Sequence, residues 1–315
     1  MAASRAIKAA FKCSPPVISW KSTGKIQQTI SSCIERTGLG LHSGKESTVR
    51  IRPELAGEGR YFALGLNRID ASIGFARESR LCTTLCKDGY SVRTVEHLLS
   101  ALEACGIDNC RIEVENSVSD DQSVEVPIFD GSAREWVRAI QEVGLEVAAH
   151  PSGENYDKLA PYVNEPIHMW KNDAFIAAFP SSNIRISYGI NFPQAPAIGC
   201  QWFSCSFLDN FVYVEQIASS RTFCIYEQVE KIWQSGLIQG GSLESAIVCS
   251  ESRGWLNAPL RYDDEPCRHK VLDLIGDLSL LARAGSQGLP VAHIVVYKGG
   301  HALHTDFVRH LSSIE

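Results

Sequence analysis

His269, Asp273 and Asp277 recur at intervals of four in the run Arg268-His269-Lys270-Val271-Leu272-Asp273-Leu274-Ile275-Gly276-Asp277. On a helix this spacing stacks the three side chains one above another, while Val271, Leu272, Leu274, Ile275 and Leu278 fill the opposite side. An imidazole and a carboxylate at i and i+4 can reach one divalent metal ion, and a carboxylate a turn further on can support them from behind. Taken alone, the run reads first as a solvated helix face with ordinary polar residues. A second fragment, Thr94-Val95-Glu96-His97-Leu98-Leu99, changes the weighing. Val95, Leu98, Leu99 and Leu102 make one apolar stripe, which leaves Glu96 and His97 on the other side of a helix. If His97 joins His269 and Asp273, a metal has two imidazoles, one carboxylate and a position open to water, the arrangement of a hydrolytic zinc site. Glu96 would then lie close enough to accept a proton. The spacing is not H-E-x-x-H, and lone histidines are more often structural.

Amide or ester hydrolysis also needs an acid and a stabiliser for the oxyanion. In Tyr297-Lys298-Gly299-Gly300-His301 an apolar strand ends in two glycines and a histidine. A protonated His301 held by a carboxylate such as Asp277 could supply the proton. A plain strand-to-helix connection accounts for the same residues. Ser220-Arg221-Thr222-Phe223 offers a hydroxyl and a ring, and in isolation is an unremarkable strand end.

The elements that must position these groups fall into two halves. In the first, residues 48–53, 69–73 and 110–115 read as strands, and 94–104 and 133–143 as amphipathic helices. Residues 148–156 have the composition of a linker. In the second, 167–170, 174–179 and 184–190 suggest a sheet, followed by helices at 227–234 and 268–282, a strand at 291–297 and a last helix from about Thr305. Strands first and helices later within each half predict an α+β fold rather than a doubly wound parallel sheet.

Composition narrows the function classes. The 315 residues are 44% hydrophobic and 21% charged, with a net charge of −6, ordinary values for a globular protein without the basic field of a nucleic-acid binder. No apolar stretch is long enough to span a bilayer. Cys82-x3-Cys86 and Cys105-x4-Cys110 lack paired zinc-ribbon spacing, so the cysteines read as small buried hydrophobes in a reducing compartment. Residues 1–25 carry Arg5, Lys8, Lys12, Lys21 and Lys25, and no acidic residue occurs before Glu35. That amphipathic, acid-free composition predicts an organelle transit peptide, mitochondrial rather than plastid because serine is not abundant. A merely basic tail is the plainer alternative.

Together the fragments resemble the zinc-dependent UDP-3-O-acyl-N-acetylglucosamine deacetylases of the lipid A pathway. The matching pieces, in family order, are Thr37-Gly38-Leu39-Gly40-Leu41-His42-Ser43-Gly44, Thr94-Val95-Glu96-His97-Leu98, Gly106-Ile107-Asp108-Asn109 and Val126-Pro127-Ile128-Phe129-Asp130-Gly131-Ser132-Ala133. Ser220-Arg221-Thr222-Phe223, Gly240-Gly241-Ser242-Leu243, the run from Arg268 to Asp277 and Gly299-Gly300-His301-Ala302-Leu303 complete the set. The resemblance covers the chain from about Ile26 onward and points to a plant organellar member.

The resemblance implies two similar domains, residues 26–149 and 150–315, each a β-α-α-β sandwich, with the site in the cleft between them. It implies one catalytic Zn2+ bound by His97, His269 and Asp273, with Glu96 as general base and His301 as cationic acid oriented by Asp277. It also implies Thr222 on the oxyanion, Lys270 toward the nucleotide diphosphate and Phe223 toward the sugar. An insert at about 222–264 would enclose the acyl chain, with Ile225, Ile232, Trp233, Leu237, Ile238, Leu243, Ile247 and Val248 as candidate lining. His42 lies in a family motif without an assigned role. The implied substrate is a UDP-linked, acylated amino sugar, and the implied state a monomer without nucleic acid or a transmembrane segment. The sequence departs from the family at the leader, at Gln27-Gln28-Thr29, at Cys224, and in longer loops at 117–124 and 284–290. Two other readings stay open: a non-catalytic relative that binds nucleotide-sugar or lipid, and a zinc amidase on another acylated amide.

Overall fold

The structure, a computed structural model, describes residues 16–79, 81–116, 122–207, 210–257 and 259–314. Its two halves repeat one topology. In the first, a five-stranded sheet runs in the order Ile34–Leu39, Glu46–Pro53, Cys110–Asn116, Arg60–Leu64, Asn67–Asp70. In the second, the order is Ile167–Lys171, Ala174–Pro180, Ala292–Tyr297, Ile184–Phe192, Gly199–Phe207. Each central strand pairs antiparallel on one side and parallel on the other, and is the last of its sheet in sequence. The parallel pair needs a crossover, and a helix supplies it in each half.

Those helices are α1, Glu96–Cys105, and, after the shorter α2 (Arg134–Val143), α3 (Phe211–Gln216) and α4 (Tyr226–Gln234), the long α5, Glu265–Leu278. The chain ends in α6, His301–Ser313. α1 and α5 occupy equivalent places in the repeat, and both are buried on nearly every face. Each half also inserts a small sheet: Ser123–Glu125, Tyr90–Arg93, Thr84–Lys87 and Ala76–Arg77 in the first; Phe223–Ile225, Ile247–Ser250 and Gly254–Trp255 in the second. The fold is α+β, built from two similar layered units, as the strand-then-helix order predicts.

Three expectations change. Residues 18–25, placed in the leader by their charge, belong to a strand, Ile18–Ile26, antiparallel to Asp157–Val163, with Ile18 opposite Val163 and buried. Lys21 and Lys25 lie on its exposed positions, so the basic composition belongs partly to a strand surface. Residues 1–15 and 117–121, which carry the rest of the leader and most of the acidic loop, lie outside the described residues. The last helix starts at His301 rather than near Thr305, because Gly300 is extended and serves as its cap. The strands at Ile34–Leu39, Arg60–Leu64 and Gly199–Phe207 escape the sequence reading. The described cysteines are free, and Cys82, Cys105, Cys110, Cys249 and Cys267 are buried. Among the described residues no helix is long and apolar enough to cross a membrane.

Candidate active site

α1 and α5 pack directly because residue 276 has no side chain. A Cβ at Gly276 would lie 2.1 Å from the Glu96 carbonyl oxygen. This close crossing brings His97 to His269 and Asp273, and their ligand atoms all lie within 4.8 Å of one another. His269 Nδ1 donates to the Ser220 carbonyl at 3.0 Å, so its Nε2 keeps the lone pair. Burial pushes this imidazole down to about 3, which keeps it neutral. Burial works against the Asp273 carboxylate, yet His269, Lys270 and His301 hold it well below the usual carboxylate range.

Asp273 Oδ1 lies 3.3 Å from His269 Nε2 and 3.5 Å from His97 Nε2. It is buried and receives no hydrogen bond among the described residues. A buried carboxylate oxygen facing an imidazole lone pair is unfavourable unless a cation joins them. Donors 2.0–2.1 Å from a tetrahedral ion stand about 3.3 Å apart, so these separations are those of a ligand set. The site fits a divalent metal.

Behind it lies a second buried set. Glu96 Oε2 accepts the Thr83 N–H at 2.9 Å, and its Oε1 is 3.8 Å from His301 Nε2. Burial pushes the Glu96 carboxyl up to about 7 against the pull of His301 and His97. His301, the first residue of α6, donates from Nδ1 to Asp277 Oδ2 at 2.8 Å. Burial opposes its charge, but Asp277, Asp273 and Glu96 outweigh it and push the imidazole up to about 10. Thr83 Oγ1 donates to the other Asp277 oxygen. The arrangement therefore sets a carboxyl group whose pKa is raised toward neutrality beside an imidazole whose charge is favoured, with His301 Nε2 3.9 Å from Asp273 Oδ2.

His301 borders a cavity of about 830 Å3, which Thr222, Phe223 and Lys270 also help to line. Thr222 is held at its floor by its N–H on the Gly131 carbonyl, 2.7 Å. Lys270 reaches Asp273 Oδ2 at 2.9 Å and lies 5.6 Å from the centre of the Phe223 ring. Of the apolar candidates in the insert, Ile225, Ile232, Trp233, Ile238, Leu243 and Val248 line this cavity. Ile247 instead belongs to the core, fully buried, and Leu237 is not on the wall. Arg221 is spent on Glu265, with Nε and Nη2 at 2.8 and 3.0 Å.

His42 acquires a structural account. Its N–H reaches Glu125, its Nδ1 accepts from the Ile238 N–H, and its carbonyl accepts from Gln239. It ties the insert of the second half to the first. Glu125, which also accepts from Thr94 Oγ1, was not found by sequence reasoning. Neither were Thr83, Tyr188 and His304. Only His304 carried a signal, its i+3 spacing from His301 on a helix.

A family model for UDP-3-O-acyl N-acetylglycosamine deacetylase matches residues 27–313. The chain belongs to this family. Relatives of this deacetylase family member include a protein named probable UDP-3-O-acyl-N-acetylglucosamine deacetylase 1, mitochondrial, of Arabidopsis thaliana, 58% identical over 97% of this chain and 94% of the relative. UDP-3-O-acyl-N-acetylglucosamine deacetylases of Trichormus variabilis and Synechocystis are 43% and 42% identical, over 91% and 90% of this chain and 99% and 98% of theirs. The matched span includes every residue of the two buried sets.

Proposed function

We propose that this chain is a zinc-dependent deacetylase of mitochondria. It hydrolyses the N-acetyl group of UDP-3-O-acyl-N-acetylglucosamine to give UDP-3-O-acyl-glucosamine and acetate, a step toward lipid A-type products. The observation that carries the reading is the orphaned Asp273 Oδ1 between two imidazoles, with Glu96 and His301 beside it and His301 on the wall of a cavity lined largely by apolar residues. His97, His269 and Asp273 would hold the zinc. When bound, that ion supplies a Lewis acid that polarises an amide carbonyl and makes water more acidic.

The chain's own groups do the rest. Glu96, anchored through Oε2 by Thr83, offers Oε1 to take a proton from the attacking water. His301, a cation steadied by Asp277, faces the same point and gives a proton to the departing amine. The Thr222 hydroxyl hydrogen-bonds the carbonyl oxygen as charge develops there. Lys270 and Phe223 bind the phosphate and sugar parts of the substrate. The insert at 222–264 takes the acyl chain. A split into domains at 149/150, a removable leader and a monomeric state belong to the same proposal.

The test measures acetate release from the acylated UDP-sugar by the purified protein, with zinc and with a chelator. Release that the chelator abolishes and zinc restores is the expected result. A zinc-loaded protein that binds the UDP-sugar without releasing acetate would overturn the reading in favour of a non-catalytic relative.

A further inference from the structure

Asp277 Oδ2 accepts two imidazole donors. His301 Nδ1 and His304 Nδ1 each lie 2.8 Å from it, and the two rings are 6.3 Å apart. His304 is fully buried, and its other nitrogen, Nε2, lies 3.0 Å from the Tyr188 hydroxyl. Tyr188 is fully buried too, reaching in from the central sheet of the second half.

The proton positions follow from what each group can do. A carboxylate only accepts, so His304 Nδ1 carries a hydrogen. Among the described residues the buried phenol has one neighbour able to take its proton, His304 Nε2, so that nitrogen is the acceptor and the ring is neutral. Gly299 makes room for this contact: a Cβ there would lie 2.7 Å from the Tyr188 hydroxyl and 2.8 Å from His304 Nε2. The first glycine of the Gly299-Gly300-His301 motif is thus explained by a residue the motif does not contain.

We infer that His304, protonated at Nδ1 by its bond to Asp277 and kept bare at Nε2 by the Tyr188 hydroxyl, is a positioning residue that holds the Asp277 carboxylate turned toward His301. The Thr83 hydroxyl holds the other Asp277 oxygen, so the carboxylate is fixed at both ends. A neutral donor adds a hydrogen bond without adding a second cation to the buried site. Asp277 therefore keeps its charge for His301, and the His301 ring keeps its aim at Glu96 and Asp273.

The turnover arm of the test rests on the proposed deacetylase activity; the spectroscopic arm does not. The amide nitrogen of asparagine stands the same number of bonds from Cα as His Nδ1, so His304→Asn retains the donor to Asp277. His304→Leu removes it. In the metal-loaded protein, H304L lowers kcat by ~10- to 100-fold with KM and metal content unchanged, and H304N recovers kcat to within a few-fold. Equal impairment of the two variants, or unimpaired H304L, would overturn the inference. Nitrogen NMR of the intact protein must report His304 with Nδ1 protonated and Nε2 bare, and Tyr188→Phe must shift the Nε2 resonance by removing its hydrogen bond while Nδ1 stays protonated. A protonated Nε2 in the unmodified protein refutes the inference even if H304L fails to fold or the protein turns over no substrate.

Discussion

Gly276→Ala is the sharpest probe of how the candidate metal site is built. Two effects oppose each other. Alanine is favoured over glycine inside a helix by about 1 kcal/mol, so on propensity alone the variant should be more stable. The new Cβ, however, would start 2.1 Å from the Glu96 carbonyl oxygen, 2.8 Å from its carbon and 3.0 Å from its Cα. The obstacle is helix backbone, so no side chain can swing aside. Restoring ordinary van der Waals contact requires α1 and α5 to separate by about 1 Å, at a cost of about 1–3 kcal/mol for overpacking. Net destabilisation of the metal-free protein is then modest, about 0–2 kcal/mol. The ion responds more strongly. The separation of 3.5 Å between His97 and Asp273 spans the two helices, and ligand distances tolerate only about 0.2 Å of change. His97 should be lost as a ligand, with at least a ~10- to 100-fold drop in zinc affinity. Competition against a chromophoric chelator measures the affinity, and thermal unfolding in excess chelator measures the fold separately. An alanine variant that is stabilised and binds zinc as tightly as the parent would refute this account of helix approach.

Glu96→Gln keeps the shape of the side chain and its Thr83 contact while removing the base. Zinc content should stay at one per chain while acetate release falls by ~10^2- to 10^4-fold; lost zinc would make Glu96 a ligand instead. Asp273→Asn withdraws the charged oxygen from between the imidazoles, so elemental analysis after desalting should find little metal, whereas full retention would place the ion elsewhere. Glu265 is fully buried, and although burial pushes its carboxyl up, Arg221 and backbone donors bring it below its ordinary value of 4.5. Its stabilisation is complete above that value and is lost as pH falls below it. Unfolding temperature should therefore drop on acidification below about pH 4.5, and Glu265→Gln should be less stable at pH 7 with a flatter acid limb. An unchanged acid limb would assign the effect to other carboxylates.

Much of the site could be read along the chain wherever one element carries it. His269, Asp273 and Asp277 declare themselves by helical spacing, and the apolar stripe of α1 fixes which side Glu96 and His97 occupy. What joins the two helices left no periodic trace. Gly276 is an ordinary glycine until the backbone of another helix arrives beside it. Thr83 stands in a loop and acts through one N–H and one hydroxyl on groups 13 and 194 residues away. Glu125 likewise gathers His42, Ser43 and Thr94 from separate segments. The order of strands within each sheet was not legible for a related reason. Strand order depends on pairing across long separations, and alternating apolar residues satisfy it without repeating a sequence. Residues 18–25 misled because charge was weighed and the alternation of Ile18 and Trp20 was not.

The placement of α1 and α5 has a thermodynamic consequence. Neither repeat owns a complete set of donors, so grasping the ion and clasping the halves together are a single equilibrium. An ion present at a thousandfold excess over its dissociation constant would reinforce that clasp by about 4 kcal/mol. If His97, His269 and Asp273 hold the ion, stripping it away should loosen the seam before it melts either sheet.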